Sequence, residues 1–181
     1  MRVARSEHRR HTWWVDDYAR DFELLDVWRY PIEAGRDDFA AFLEIHDTEA
    51  MVAESSPAVR ALFGLRIVLG RVFGWDKPGS EGEVGGEHQG VGAEAFREVY
   101  RDEREMVQRI ENATVTALMH LGWVPLDAAG SRWTAQLAVF VDPKGRLGRV
   151  YMAAIAPFRH HLVYPALMRA GRRRWQARDG S

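Results

Sequence analysis

The sequence predicts an α+β protein in which a long C-terminal helix lies over an antiparallel sheet. Three observations carry this reading. Over residues 145–175, Leu147, Val150, Tyr151, Ala154, Ile155, Phe158, Leu162, Pro165 and Met168 fall on one broad stripe at about 100° per residue, the pattern of a helix packed on a sheet. In Val115, Ala117, Met119, Leu121 and Trp123 every second residue is apolar, and Trp133, Ala135, Leu137, Val139 and Val141 repeat the pattern, as half-buried strands do. The order is one strand, two helices, a strand meander and the long helix, which favours antiparallel pairing through short turns.

Residues 1–12 are mostly polar and charged, and the expectation is a flexible tail that gives way at Trp13 and Trp14 to a docked segment. Residues 22–32, FELLDVWRYPI, read as a strand of aromatic and branched residues closed by Pro31. Strict alternation puts Phe22, Leu24, Asp26, Trp28 and Tyr30 on one side. Gly35 breaks the chain, and residues 37–50 read as a helix with Asp37 and Asp38 at its positive end. Ser55, Ser56 and Pro57 form a cap and a first-turn proline for a second helix over 57–75. Residues 76–92 are glycine-rich and polar, an exposed loop; no GK[ST] follows its glycines and no strand leads into it, so it is not a phosphate loop. Strands are expected over 96–101, 106–111 and 114–124, with a turn near Asn112, and over 132–142 after the turn at Pro125, Asp127 and Gly130.

A chain of 181 residues, 46% hydrophobic and 28% charged, is long enough to bury one core, and one domain is the default. The net charge of −1 supplies no global field for nucleic acid or an anionic membrane. The Arg172, Arg173, Arg174 run complements the negative end of the last helix rather than marking a nucleic-acid surface. There is no cysteine, which excludes disulfides, thiolate metal sites and a cysteine nucleophile and suits a reducing cytoplasm. No apolar run approaches a membrane span and the basic N-terminus has no apolar segment of a leader, so a cytoplasmic protein is expected. His8 with His11 and His160 with His161 do not make a three-ligand metal cluster, no serine lies in a G-x-S-x-G turn, and neither a metal nor another cofactor is expected.

The blocks DFELLDVWRYPI, SSPAVRALFGLRIVLGRVFGWD, ENATVTALMHLGWVP and GRLGRVYMAAIAPFRHHLVYPALMR together resemble actinobacterial members of the domain of unknown function 2867 family, from about Tyr18 to Trp175. The resemblance implies a place among helix-grip proteins similar to START-domain and birch-pollen-allergen folds, with a curved antiparallel sheet wrapped on a kinked C-terminal helix around an apolar cavity. It implies no settled activity. Relatives read FRHLIVYP where this chain has Phe158, Arg159, His160, His161, Leu162, Val163, Tyr164 and Pro165, so His161 is extra.

In such a cavity the expected wall is Trp28, Tyr30, Trp123, Trp133, Tyr151 and Phe158, with an apolar or aromatic small molecule as partner. Asp26 stands among apolar neighbours, where desolvation makes a proton donor of a carboxylate unless a nearby arginine pairs with it. His120 points away by parity and is discounted. Pro157 and Pro165 each remove a donor from the long helix and force a bend. On an unkinked wheel His161 is the more buried histidine, while the resemblance singles out His160 as the one hydrogen-bonded near the bend. Two functions from different classes follow. One is a binding protein for a lipid-like or polyketide-like molecule; the other is a cofactor-free cyclase, dehydratase or hydrolase of natural-product type using Asp26, His160 or His161 as acid or base. A third reading, a homodimer surface on the two short helices, rests on no motif.

Overall fold

A computed structural model describes residues 1–46, 96–111 and 115–178. The predicted helix over 57–75, the glycine-rich loop over 76–92, the turn at Asn112 and the end of the helix predicted over 37–50 lie outside the described residues. Among the described residues five strands form one antiparallel sheet: β1 (Glu23–Arg29), β2 (Arg97–Arg101), β3 (Glu105–Glu111), β4 (Val115–Pro125) and β5 (Trp133–Pro143), in the order β1-β5-β4-β3-β2. The first strand therefore pairs with the last. Two short helices, α1 (Arg5–His8) and α2 (Trp14–Tyr18), precede β1, and α3 (Phe39–Ile45) follows it. The C-terminal helix runs as α4 (Gly145–Phe158), a π turn (Arg159–Val163) and α5 (Tyr164–Arg178).

Alternation sorts the side chains of β4 as predicted. Val115, Leu121 and Trp123 join a core on the face covered by α5, while Leu118 and Val124 join a second core on the opposite face. The α5 side is packed with aromatic rings: Trp123 lies between Phe39 and Phe42, and Tyr30 meets Phe42 edge to face. Gly171 lets α5 approach, because a Cβ there would sit 2.5 Å from Cε1 of Tyr30. Gly171→Ala is therefore expected to cost about 1–3 kcal/mol, the range for overpacking a filled core, read from the urea unfolding midpoint.

The other face shows where composition misleads. Residues 1–12, expected to be a flexible tail, are docked: Arg2 bridges Trp28, the Val3 amide donates to the Val27 carbonyl at 3.0 Å, and the Arg29 amide donates to the Met1 carbonyl at 2.8 Å. Trp13 and Val15 then cover the sheet at 3% and 0% exposure. Trp13 lies where Gly122 has no side chain, since a Cβ at 122 would meet its Cη2 at 2.8 Å. The apolar area these residues remove from water offsets the cost of ordering a charged segment.

The long helix has the predicted period but turns a different face to β1. Arg149, Met152, Ala153, Ala156 and His160, spaced by three and four residues, line the side towards the sheet, while Val150 and Phe158 of the predicted stripe are 67% and 47% exposed. The bend expected from the two prolines takes the form of the π turn between them, where i→i+5 bonding absorbs one extra residue. Pro165 follows as the second residue of α5, so its missing donor falls where the register returns to i→i+4.

Candidate functional site

A bulge in β1 makes the site. Leu24 stands opposite Phe140 and Asp26 opposite Val139, so Leu25 is an extra residue. Phe22 and Leu24, placed by strict alternation with Asp26, instead belong to the opposite core, and Asp26 shares the α5 face with Trp28. Beyond that shift, Glu23, Leu25 and Asp26 border a groove of about 310 Å³ whose far side is α4 and the π turn and whose floor includes Val141.

Asp26 is 1% exposed, and a carboxylate so deep needs compensation. It has three cationic or hydrogen-bonding neighbours. His160 Nε2 lies 2.8 Å from Oδ1, an Arg2 guanidinium nitrogen lies 3.2 Å from Oδ1, and an Arg159 guanidinium nitrogen lies 3.7 Å from Oδ2. These requirements explain why the less apolar stripe of α4 faces β1. The π turn brings the adjacent residues Arg159 and His160 to the same carboxylate and leaves His161 exposed. The wheel prediction that His161 is the more buried histidine is thus corrected, and His160 is the hydrogen-bonded one near the bend.

Four arginines, Arg2, Arg5, Arg149 and Arg159, face two carboxylates, Glu23 and Asp26, leaving a formal charge of +2 with His160 neutral. Arg5 pairs with Glu23 at 3.6 Å on the exposed rim. The apolar wall is Leu25, Val141, Met152, Ala153 and Ala156. None of the six aromatics predicted to line a cavity borders this groove. Trp28, Tyr30 and Trp123 are buried in the core at 6%, 2% and 0% exposure, Trp133 and Tyr151 are half-buried, and Phe158 is exposed. Burial also pushes the Tyr30 and Tyr164 hydroxyls well above the usual phenol range, so both stay neutral.

On the opposite face lies a second buried polar group that pattern reading passed over. His120 faces that side, as parity predicted, but under cover: it is 0% exposed, and so is His8. His8 Nε2 lies 3.1 Å from His120 Nδ1, and His120 Nε2 lies 3.1 Å from Glu105 Oε2. Neither residue had a spacing signal, since 112 positions separate the two histidines. Among the described residues no group of three or more histidines, cysteines and carboxylates is arranged to hold a metal ion, and no helix is long and apolar enough to cross a membrane.

The model of a family described as a protein of unknown function, DUF2867, matches residues 18–166. The chain belongs to this family. The DUF2867 match includes the β1 bulge, Asp26, all of α4 and His160, whereas Arg2, Arg5 and His8 precede it. No curated protein and no solved structure matches the chain.

Proposed function

We propose that the protein binds a lipid-like or polyketide-like small molecule that carries an acidic group, in the groove between the β1 bulge and the C-terminal helix. The observation that carries this reading is the division of the groove: one apolar wall from Leu25 to Ala156, and four guanidinium groups against two carboxylates. Its volume of about 310 Å³ stands at the low end of ligand pockets, which run to about 1,000 Å³. A helix-grip assignment belongs to the same proposal and is supported by the pairing of β1 with β5 and by the C-terminal helix on one sheet face. So does a cytoplasmic site of action, which the lack of cysteine suits.

Octanoate and octanol separate an anion-recognising groove from a merely greasy one. Isothermal titration of each is expected to show octanoate binding about tenfold tighter, since a hydrogen bond to a charged group contributes about 1.5 kcal/mol or more. Arg149→Gln should reduce that preference. Equal affinity for the acid and the alcohol, or an unaltered preference in Arg149→Gln, contradicts the reading. Native mass spectrometry of the purified protein, searched for a co-purifying acid, identifies the natural ligand.

The 2.8 Å contact between His160 and Asp26 favours a second reading, acid–base catalysis without a cofactor. The buried carboxylate accepts from Nε2 and so orients the ring. With Nε2 directed at the carboxylate, Nδ1 is the ring nitrogen that takes a proton from a bound substrate and returns it. His160→Gln that still binds octanoate but turns over no candidate substrate supports this reading; unchanged turnover removes it.

A further inference from the structure

The hydrogen-bond chain on the outer face has only one consistent direction. Glu105 accepts the Trp14 amide at 2.7 Å on Oε1, and its Oε2 faces the Val15 amide at 3.4 Å as well as His120 Nε2. An ionised carboxylate can only accept, so His120 Nε2 carries a hydrogen. In a neutral ring His120 Nδ1 is then the acceptor, His8 Nε2 the donor, and His8 Nδ1 a bare nitrogen. That nitrogen is buried with no hydrogen-bond partner.

Adding a proton breaks this arrangement wherever it lands. A proton on His8 occupies Nδ1 directly. A proton on His120 makes both of its nitrogens donors, which forces His8 to accept at Nε2 and carry its hydrogen at Nδ1. Either way a buried N–H is left at His8 Nδ1, and the Asp16 Oδ1 oxygen stands 3.9 Å away, beyond hydrogen-bond reach. A charged or newly donating group without a partner is costly inside a protein.

We propose that the His8–His120–Glu105 chain is an acid-released latch that holds residues 1–18 on the sheet and, with them, Arg2 and Arg5 of the groove. The held segment is one continuous piece. Trp13 donates its indole N–H to the His8 carbonyl at 3.1 Å and packs on the His120 ring, and Arg2, six residues before His8, reaches Asp26. Release therefore removes two of the four arginines from the groove and uncovers the free edge of β1.

Every charged group around His8 bears on the sign. Arg9 and His11 on the same segment and His120 on β4 disfavour a positive charge at His8, Arg104 stacks over Trp13, and Phe140 of β5 supplies an apolar wall. Glu105 is spent on His120 and two amides. Glu7 of α1 is taken up by Arg10 and Arg29. Asp16 is 45% exposed and faces the Trp13 amide through its other oxygen at 3.3 Å, so among the described residues it is the carboxylate placed to oppose release. Burial, first, and then His120 hold His8 down at about 3 against 6.5 in a free chain. The docked form thus keeps its full stability above pH 6.5 and loses it as pH falls towards 3.

Hydrogen exchange of the whole protein tests the latch through the amides of Val3, Trp14, Val15 and Arg29. Corrected for intrinsic exchange, their opening constant is expected to rise about thirtyfold between pH 7.5 and pH 5, the ratio set by a free-chain value of 6.5. The Leu118 and Ala138 amides in the sheet centre should change far less. His8→Gln keeps a donor to His120 Nδ1 without titrating, so it should dock at pH 7.5 and lose the acid response. Protection that is unchanged or stronger at pH 5, as when protonated His8 pairs with Asp16, overturns the latch. So does a His8→Gln variant as acid-sensitive as the parent. Should that variant fail to dock, the NMR titration of His8 in the parent decides instead: a midpoint at or above 6.5 in the docked form contradicts the proposal, and a midpoint well below it agrees.

Discussion

Trp123→Ala is expected to cost about 3–5 kcal/mol of stability, the largest effect of any single truncation in the inner core. The ring is fully buried, packs within about ring-contact distance of Phe39 and Phe42, and stands 6.5 Å from the Trp175 ring. Its indole N–H donates to the Gly35 carbonyl at 3.1 Å, so truncation also leaves that carbonyl without this donor. The loss is both a void and a lost hydrogen bond, and Phe39, Phe42 and α5 are held in place by many other contacts that limit collapse into the gap. Urea unfolding of the variant provides the check. A cost below about 1 kcal/mol would mean that the ring borders open space, the arrangement expected of a cavity wall rather than of a filled core.

Asp26→Asn is expected to cost about 3 kcal/mol. The neutral amide keeps the shape but removes the charge that holds Arg2, Arg159 and His160 together, and breaking one side of a buried ion pair typically costs about 3–5 kcal/mol. The lower figure applies because the Arg2 side chain is 51% exposed and regains water when released. Asp26→Asn should also free the π turn from β1 and weaken octanoate binding through the disordered Arg159. A variant as stable as the parent would show that the three contacts add nothing net. In that case the carboxylate is retained for chemistry at His160 rather than for structure.

Period and parity made much of the fold legible, and they failed where one residue or one charge decided the outcome. Alternation from Val115 to Trp123 located β4 and correctly assigned its two faces, including the outward direction of His120. The same rule misassigned Leu24, because the extra residue Leu25 shifts β1 by half a period and no residue type marks a bulge of this kind. The wheel located the long helix but chose its face by apolar content. The buried charge of Asp26 outweighed that content, since leaving it unpaired costs more than exposing Val150 and Phe158. Charge in residues 1–12 concealed a docked segment. The available signal was Trp13 followed by Val15, two large apolar residues close behind a histidine, which mark a segment with something to bury. Glu105 and its two histidines come together only through the β3–β4 pairing and the return of the N-terminus across the sheet, and no spacing rule registers that.

Where a ligand sits is the central question, and a ¹H–¹⁵N NMR titration with octanoate answers it residue by residue. The groove reading predicts shifts concentrated at the amides of Leu25, Asp26, Met152, Ala156 and His160, with the indole signals of Trp28, Trp123 and Trp133 unmoved. Shifts concentrated at those three indoles, with the groove amides unchanged, would place the ligand among the core aromatics and contradict the account.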